Sequence, residues 1–120
     1  MKKIQDLGLK LKTEKQKEVY KRIVDRPYLQ ESYKYLAQLF EREGAMGEAE
    51  KVLRLARERF PKDHPVQEQL AALYDAMGKT GRSIDIYKQL IKGGKSWSAY
   101  VRLARIRRES GDIEAAISLF

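Results

Sequence analysis

A chain of 120 residues with 42% hydrophobic and 35% charged side chains suits one domain with a modest core and a surface laced with ion pairs. It has no cysteine, which excludes a disulfide framework and a thiolate metal site. The formal net charge is +8, but nine Lys/Arg stand against four Asp/Glu in residues 1–29, while seven stand against seven in residues 30–63, so the excess lies mostly on the N-terminal lead and not along a continuous phosphate track.

The lead, residues 1–29, keeps helical spacing twice, through Ile4, Leu7, Gly8 and Leu11 and again through Val19, Tyr20, Ile23 and Val24. Thr13 with Gln16 reads as a capping box that opens a new helix. One bent helix through 3–25 fits equally well. Arg26-Pro27 ends either version, because proline disfavours helix at the residue before it. Lys2 and Lys3 are not followed by the unbroken apolar run of a signal sequence, and nothing approaches the roughly 18 apolar residues of a membrane span. A cytoplasmic protein is the expectation.

Residues 30–63 read as two short amphipathic helices joined at Gly44. Tyr33, Leu36, Ala37 and Phe40 form one apolar face, Ala49, Val52, Leu53 and Ala56 the other, and Pro61 stops the unit. Residues 64–96 repeat the pattern: His64-Pro65 opens a helix, Leu70, Ala71 and Tyr74 take the places of Leu36, Ala37 and Phe40, and Gly78 follows Gly44 by 34. Ser83 and Tyr87 take the places of Ala49 and Leu53, and Lys92-Gly93-Gly94-Lys95 is the exit turn. Residues 97–120 start a third copy, with Tyr100, Leu103 and Ala104, then Gly111, Ala116 and Phe120. The apolar stripe of Ile113, Ala116, Ile117 and Phe120 has nothing after it. We therefore expect a fragment of a longer array or an end that stacks on another copy, since repeat arrays need a polar terminal face.

Several chemical motifs fail on spacing. Gly78-Lys79-Thr80 and Gly94-Lys95-Ser96 look like the tail of a phosphate-binding loop, but Leu73 and Gln89 stand where that loop needs its first glycine. His64 is the lone histidine, read as an exposed turn residue beside Asp63, whereas metal sites want clusters and catalytic histidines want partners. Glu41 and Glu43 read as solvated helix faces. No catalytic group, cofactor or metal is expected. Arg102, Arg105, Arg107 and Arg108 form a basic cluster, in which Arg102 and Arg105 share a face and Arg107 points toward the partner helix. The bland reading is a solvated face paired with Glu109 and Asp112.

With its period of 33–34, the pattern Tyr33-x2-Leu36-Ala37-x2-Phe40, Ala49-x3-Leu53, Pro61 resembles the tetratricopeptide repeat. The second copy has Gln67 at the first aromatic position and the third has Arg107 at the second. The resemblance covers residues 30–120 and implies an all-α, right-handed α-solenoid of antiparallel helix hairpins, with residues 1–29 as a basic helical lead or a degenerate repeat. Ala37, Ala71 and Ala104 then lie at close helix crossings, and the aromatics pack between hairpins. The family implies a protein-interaction scaffold whose first helices line a concave groove that binds peptides. One subgroup clamps a C-terminal carboxylate; at its five positions this chain has Lys34, Gln38, Gln69, Ser98 and Arg102. Two match, two are amide relatives of asparagine, and Ser98 replaces a lysine. Lys34, Gln38, Gln69, Arg102 and Arg105 are thus the expected peptide-binding residues, exposed and replaceable without loss of stability, for an acidic segment or a free C-terminus. The competing readings are self-assembly into homo-oligomers through the open C-terminal end, then nucleic-acid binding through the basic lead and arginine cluster, then membrane-surface docking by residues 2–21, which Gly8 and the mixed charges weaken.

Overall fold

A computed structural model describes residues 2–93 and 97–109, with the side chains of Trp97, Ser98 and Arg107 left out of the description. The described residues are all-helical: after a single 3-10 turn, Ile4–Leu7, come α1 (Glu14–Asp25), α2 (Gln30–Arg42), α3 (Met46–Arg59), α4 (His64–Ala76), α5 (Thr80–Lys92) and α6 (Trp97–Glu109). The Gly94-Lys95-Ser96 motif, the expected partner Asp112, Gly111 and the apolar stripe from Ile113 to Phe120 lie outside the described residues. The chain divides into two compact units, Met1–Leu70 and Ala71–Phe120, with the boundary inside α4.

The first unit is built on α2, which packs against both α1 and α3. The face expected from periodicity is the buried one: Tyr33, Leu36, Ala37 and Phe40 on α2, Ala49, Val52, Leu53 and Ala56 on α3, with Val19 and Ile23 from α1. Close-packed interiors leave no slack at such positions, so alanine at 37 and 49 lets the two helices meet closely. The turn between them closes as a Schellman motif. Gly44 sits in the left-handed region at φ 75°, its N–H donates to Glu41 O at 3.0 Å, and the Ala45 N–H donates to Phe40 O at 2.8 Å. The α4–α5 turn repeats it one period later: Gly78 has φ 78°, its N–H donates to Asp75 O at 3.0 Å, and the Lys79 N–H donates to Tyr74 O at 2.8 Å. Glycine is required at both because a Cβ strains the left-handed conformation. Gly78-Lys79-Thr80 is therefore a helix-to-helix turn, not a strand-to-helix phosphate loop.

The lead resolves in favour of a new helix at Glu14. The Gln16 N–H donates to Thr13 Oγ1 at 3.1 Å, and Gln16 Oε1 accepts from Thr13 N at 3.3 Å and Lys12 N at 2.7 Å. This double use explains why Gln16 is fully buried. Upstream, the 3-10 turn packs on α3 and α1, Ile4 is buried, and Gly8 reverses the chain at φ 62°. Helix α1 ends as α3 does: Arg26 (φ −136°, ψ 73°) and Phe60 (φ −125°, ψ 68°) cap each helix just before Pro27 and Pro61. Pro27 and Pro61 are 34 apart, so α1 occupies the register of the second helix of a preceding hairpin.

In the second unit α5 packs on α6. Ile86, Tyr87 and Leu90 of α5 are buried, as are Leu73 and Tyr74 at the end of α4, and Ala99, Leu103 and Ile106 are the buried positions of α6. That differs from the expected stripe of Tyr100, Leu103 and Ala104, since Tyr100 and Ala104 are only half-buried. The α6 face that α5 covers is turned by one residue, through Ala99 and Ile106.

Candidate functional site

The five expected peptide-binding residues divide between the units, with Lys34, Gln38 and Gln69 in the first and Arg102 and Arg105 in the second. Lys34 and Gln38 lie one turn apart on α2 and off its apolar face, yet their surroundings differ. Gln38 is exposed. The Lys34 side chain is only 13% exposed; its Nζ sits 2.7 Å from Glu31 Oε1 and 3.6 Å from Asp63 Oδ2. It is therefore not the solvent-facing, freely replaceable side chain that spacing implied. Asp63 is itself 5% exposed and caps α4, with its Oδ1 accepting from the Val66 N–H at 3.1 Å. One carboxylate thus ties the start of α4 to the middle of α2, and sequence gave no sign of it because the partners are 29 positions apart. Gln69 adds a second tie: its Nε2 donates to Lys34 O at 3.1 Å. His64 follows Asp63 as the first residue of α4 and is half-buried, not an exposed turn residue.

Arg102 and Arg105 are exposed on α6, one turn apart. They line a cleft of about 240 Å³ with Ile106 and Glu109 of the same helix, Ala72, Asp75 and Ala76 of α4, and Tyr87 of α5. The α4 alanines leave the space open. Tyr87, almost fully buried, gives the cleft an aromatic wall. Neither arginine makes an ion pair among the described residues. Each planar guanidinium can present paired N–H donors, the geometry that takes a carboxylate in two hydrogen bonds. By contrast, the basic excess of α1 is partly cancelled on its own helix, through Lys15–Glu18 at 3.8 Å, Lys17–Glu14 at 3.4 Å and Arg22–Glu18 at 3.2 Å.

Two further titrating groups stand out. Burial pushes the Glu41 carboxyl above its usual range, so the residue is half-buried and not part of a solvated face. Burial also raises the Tyr33 phenol, and the Arg59 charge pulls it partly back. Tyr33 therefore stays a donor, and its hydroxyl reaches Pro27 O at 2.8 Å. Among the described residues no group of three His, Cys, Asp or Glu is placed to hold a metal ion, and no helix is long and apolar enough to cross a membrane.

Comparison with known proteins bears on the first hairpin. No curated protein matches the chain. The family model for the tetratricopeptide repeat matches residues 30–73, which covers α2, α3 and most of α4. The matched stretch carries the buried Tyr33-Leu36-Ala37-Phe40 face, the Gly44 turn and the Ala49-Leu53 face in one hairpin. Residues 30–73 are accordingly a tetratricopeptide repeat.

Proposed function

We propose that this chain is a protein-interaction scaffold, and that the cleft between α4 and α6 takes an acidic segment or a free C-terminus of its partner. Tetratricopeptide repeats generally mediate protein–protein interactions and are typically non-catalytic. The observation that carries the reading is the pair Arg102 and Arg105, exposed, free of ion pairs among the described residues, and set beside the buried Tyr87 ring in an open cleft. The lining of this cleft comes from the second unit alone. In the first unit, taken by itself, exposed Gln38 can both donate and accept hydrogen bonds, and Lys34 is already paired with Glu31 and Asp63. Asp75 and Glu109 at the same cleft favour a ligand whose acidic group is flanked by a donor over a purely polyanionic one. Capture of partners from the native host at low and high salt, with the wild-type chain and with Arg102→Glu/Arg105→Glu, tests this. Partners should be retained at low salt and lost in the charge-reversed protein; equal capture by both proteins would contradict the assignment.

A further inference from the structure

We propose that the groove between α1 and α3, filled in this chain by its own lead, is a second peptide-binding surface, and that its partner is an extended segment carrying an apolar side chain bulkier than isoleucine followed by a carboxylate. The lead is held as a peptide ligand is held. It has a single 3-10 turn, one buried apolar anchor, Ile4, and a main-chain bond at either end. The Lys2 carbonyl accepts from Arg59 Nη2 at 3.3 Å, and the Lys10 N–H donates to Glu48 Oε2 at 3.0 Å. Main-chain bonds of this kind are indifferent to sequence, so the groove does not by itself demand this segment.

The lead also fits incompletely. A gap of about 170 Å³ remains beside Ile4, walled by Ile23, Val24 and Pro27 and reached by Gln5 and Arg59. A larger anchor than Ile4 would occupy it and recover the contacts that such a void forfeits. Arg59 Nε is buried and meets no acceptor among the described residues, and the guanidinium has no ion pair there. A buried cationic donor left without an acceptor is costly, and a carboxylate is the acceptor that suits it best. Gln5, the residue after the anchor, is neutral and lines the same gap. A segment with an aromatic anchor and an adjacent acid thus satisfies both defects at once. The lead is then a weak occupant that such a segment displaces.

The test uses the full chain and, as probe, a labelled peptide copying residues 1–13 with Ile4→Phe and Gln5→Glu. The probe should bind saturably, at least about tenfold tighter than the unaltered copy, which corresponds to about 1.4 kcal/mol. Its binding should release the Lys10 amide of the protein to hydrogen exchange, because the lead leaves the groove. Arg59→Gln should remove the preference for the acidic probe, and Arg102→Glu, on the other site, should change nothing. No saturable binding, binding that leaves the Lys10 amide protected, or equal affinity of the two peptides would overturn the proposal.

Discussion

Gln67 takes over the hydrogen bond of Tyr33 one period later: its Nε2 donates to Pro61 O at 2.7 Å, as the Tyr33 hydroxyl donates to Pro27 O at 2.8 Å. Both pairs are 34 apart, and both bonds pin the start of a hairpin's first helix to the proline that ends the helix before it. What Gln67 lacks is the ring, which in Tyr33 meets Phe60 edge-on at 5.4 Å. Tyr33→Phe keeps that contact and deletes the bond, so it should cost about 1 kcal/mol in urea denaturation. Gln67→Ala removes a more exposed bond and should cost less. The reverse order would mean that the bond to Pro27 is not what fixes this corner.

The Lys34–Asp63 pair should be structural as well as electrostatic. Lys34→Ala leaves a carboxylate that is 5% exposed without its cation and should destabilise by about 1–3 kcal/mol. Asp63→Asn keeps a side chain able to cap α4 and should cost less than Asp63→Ala, which loses cap and pair together; the cap alone is typically worth about 1 kcal/mol. Equal stability of all three variants and the wild type would show that the two ties are slack.

Much of this was legible from residue order. The 3.6-residue stripes placed the cores of α2 and α3, and Gly44 and Gly78 marked turns that close identically. The lead was harder, because its contacts join Lys2 to Arg59 and Lys10 to Glu48, and no local pattern reports a contact across that distance. A usable signal was present: Pro27 precedes Pro61 by the repeat period, which sets α1 in register. Among the expected site residues, Gln38, Arg102 and Arg105 are exposed, whereas Lys34 is covered by Glu31 from a turn away and by Asp63 at the N-cap of α4. The one-residue rotation of the α6 core also escaped prediction, since Tyr100 and Ala104 are as apolar as Ala99 and Ile106 and only packing chooses between them.

Two fully buried core positions, Ala37 and Ser83, should respond oppositely to a change in size or polarity. Ala37 is fully buried against the facing helix, so Ala37→Leu should overpack the crossing and cost about 1–3 kcal/mol. Ser83, also fully buried, stands where the first hairpin has Ala49, and its Oγ has no hydrogen-bond partner among the described residues. Ser83→Ala should therefore stabilise, by about 1 kcal/mol. Chemical denaturation decides both, and a destabilised Ser83→Ala protein would mean that the hydroxyl is satisfied after all.

Glu41 should contribute a pH dependence of definite sign. Its carboxyl is raised by burial, so the folded chain holds the proton more tightly than the unfolded chain does. Stability then falls as pH rises from the unfolded to the folded value, and the penalty is complete above the folded one. Glu41→Gln should be the more stable protein at neutral pH and should lose its advantage in acid. Parallel stability profiles for the two proteins across the carboxylate range would refute the burial argument.

The most direct measurement is a selection of peptides from a random library on the Arg59→Gln chain, in which the lead groove no longer favours an acid, and on the same chain carrying Arg102→Glu/Arg105→Glu as well, followed by affinities for the enriched sequences across ionic strength. The account predicts that the chain with both arginines enriches an acidic residue or a free C-terminal carboxylate, that the charge-reversed chain loses the enrichment with its fold intact, and that affinity weakens as salt screens the arginines. Enrichment of basic sequences, or of acidic ones equally well by both proteins, would contradict the claim that Arg102 and Arg105 form the ligand-facing wall.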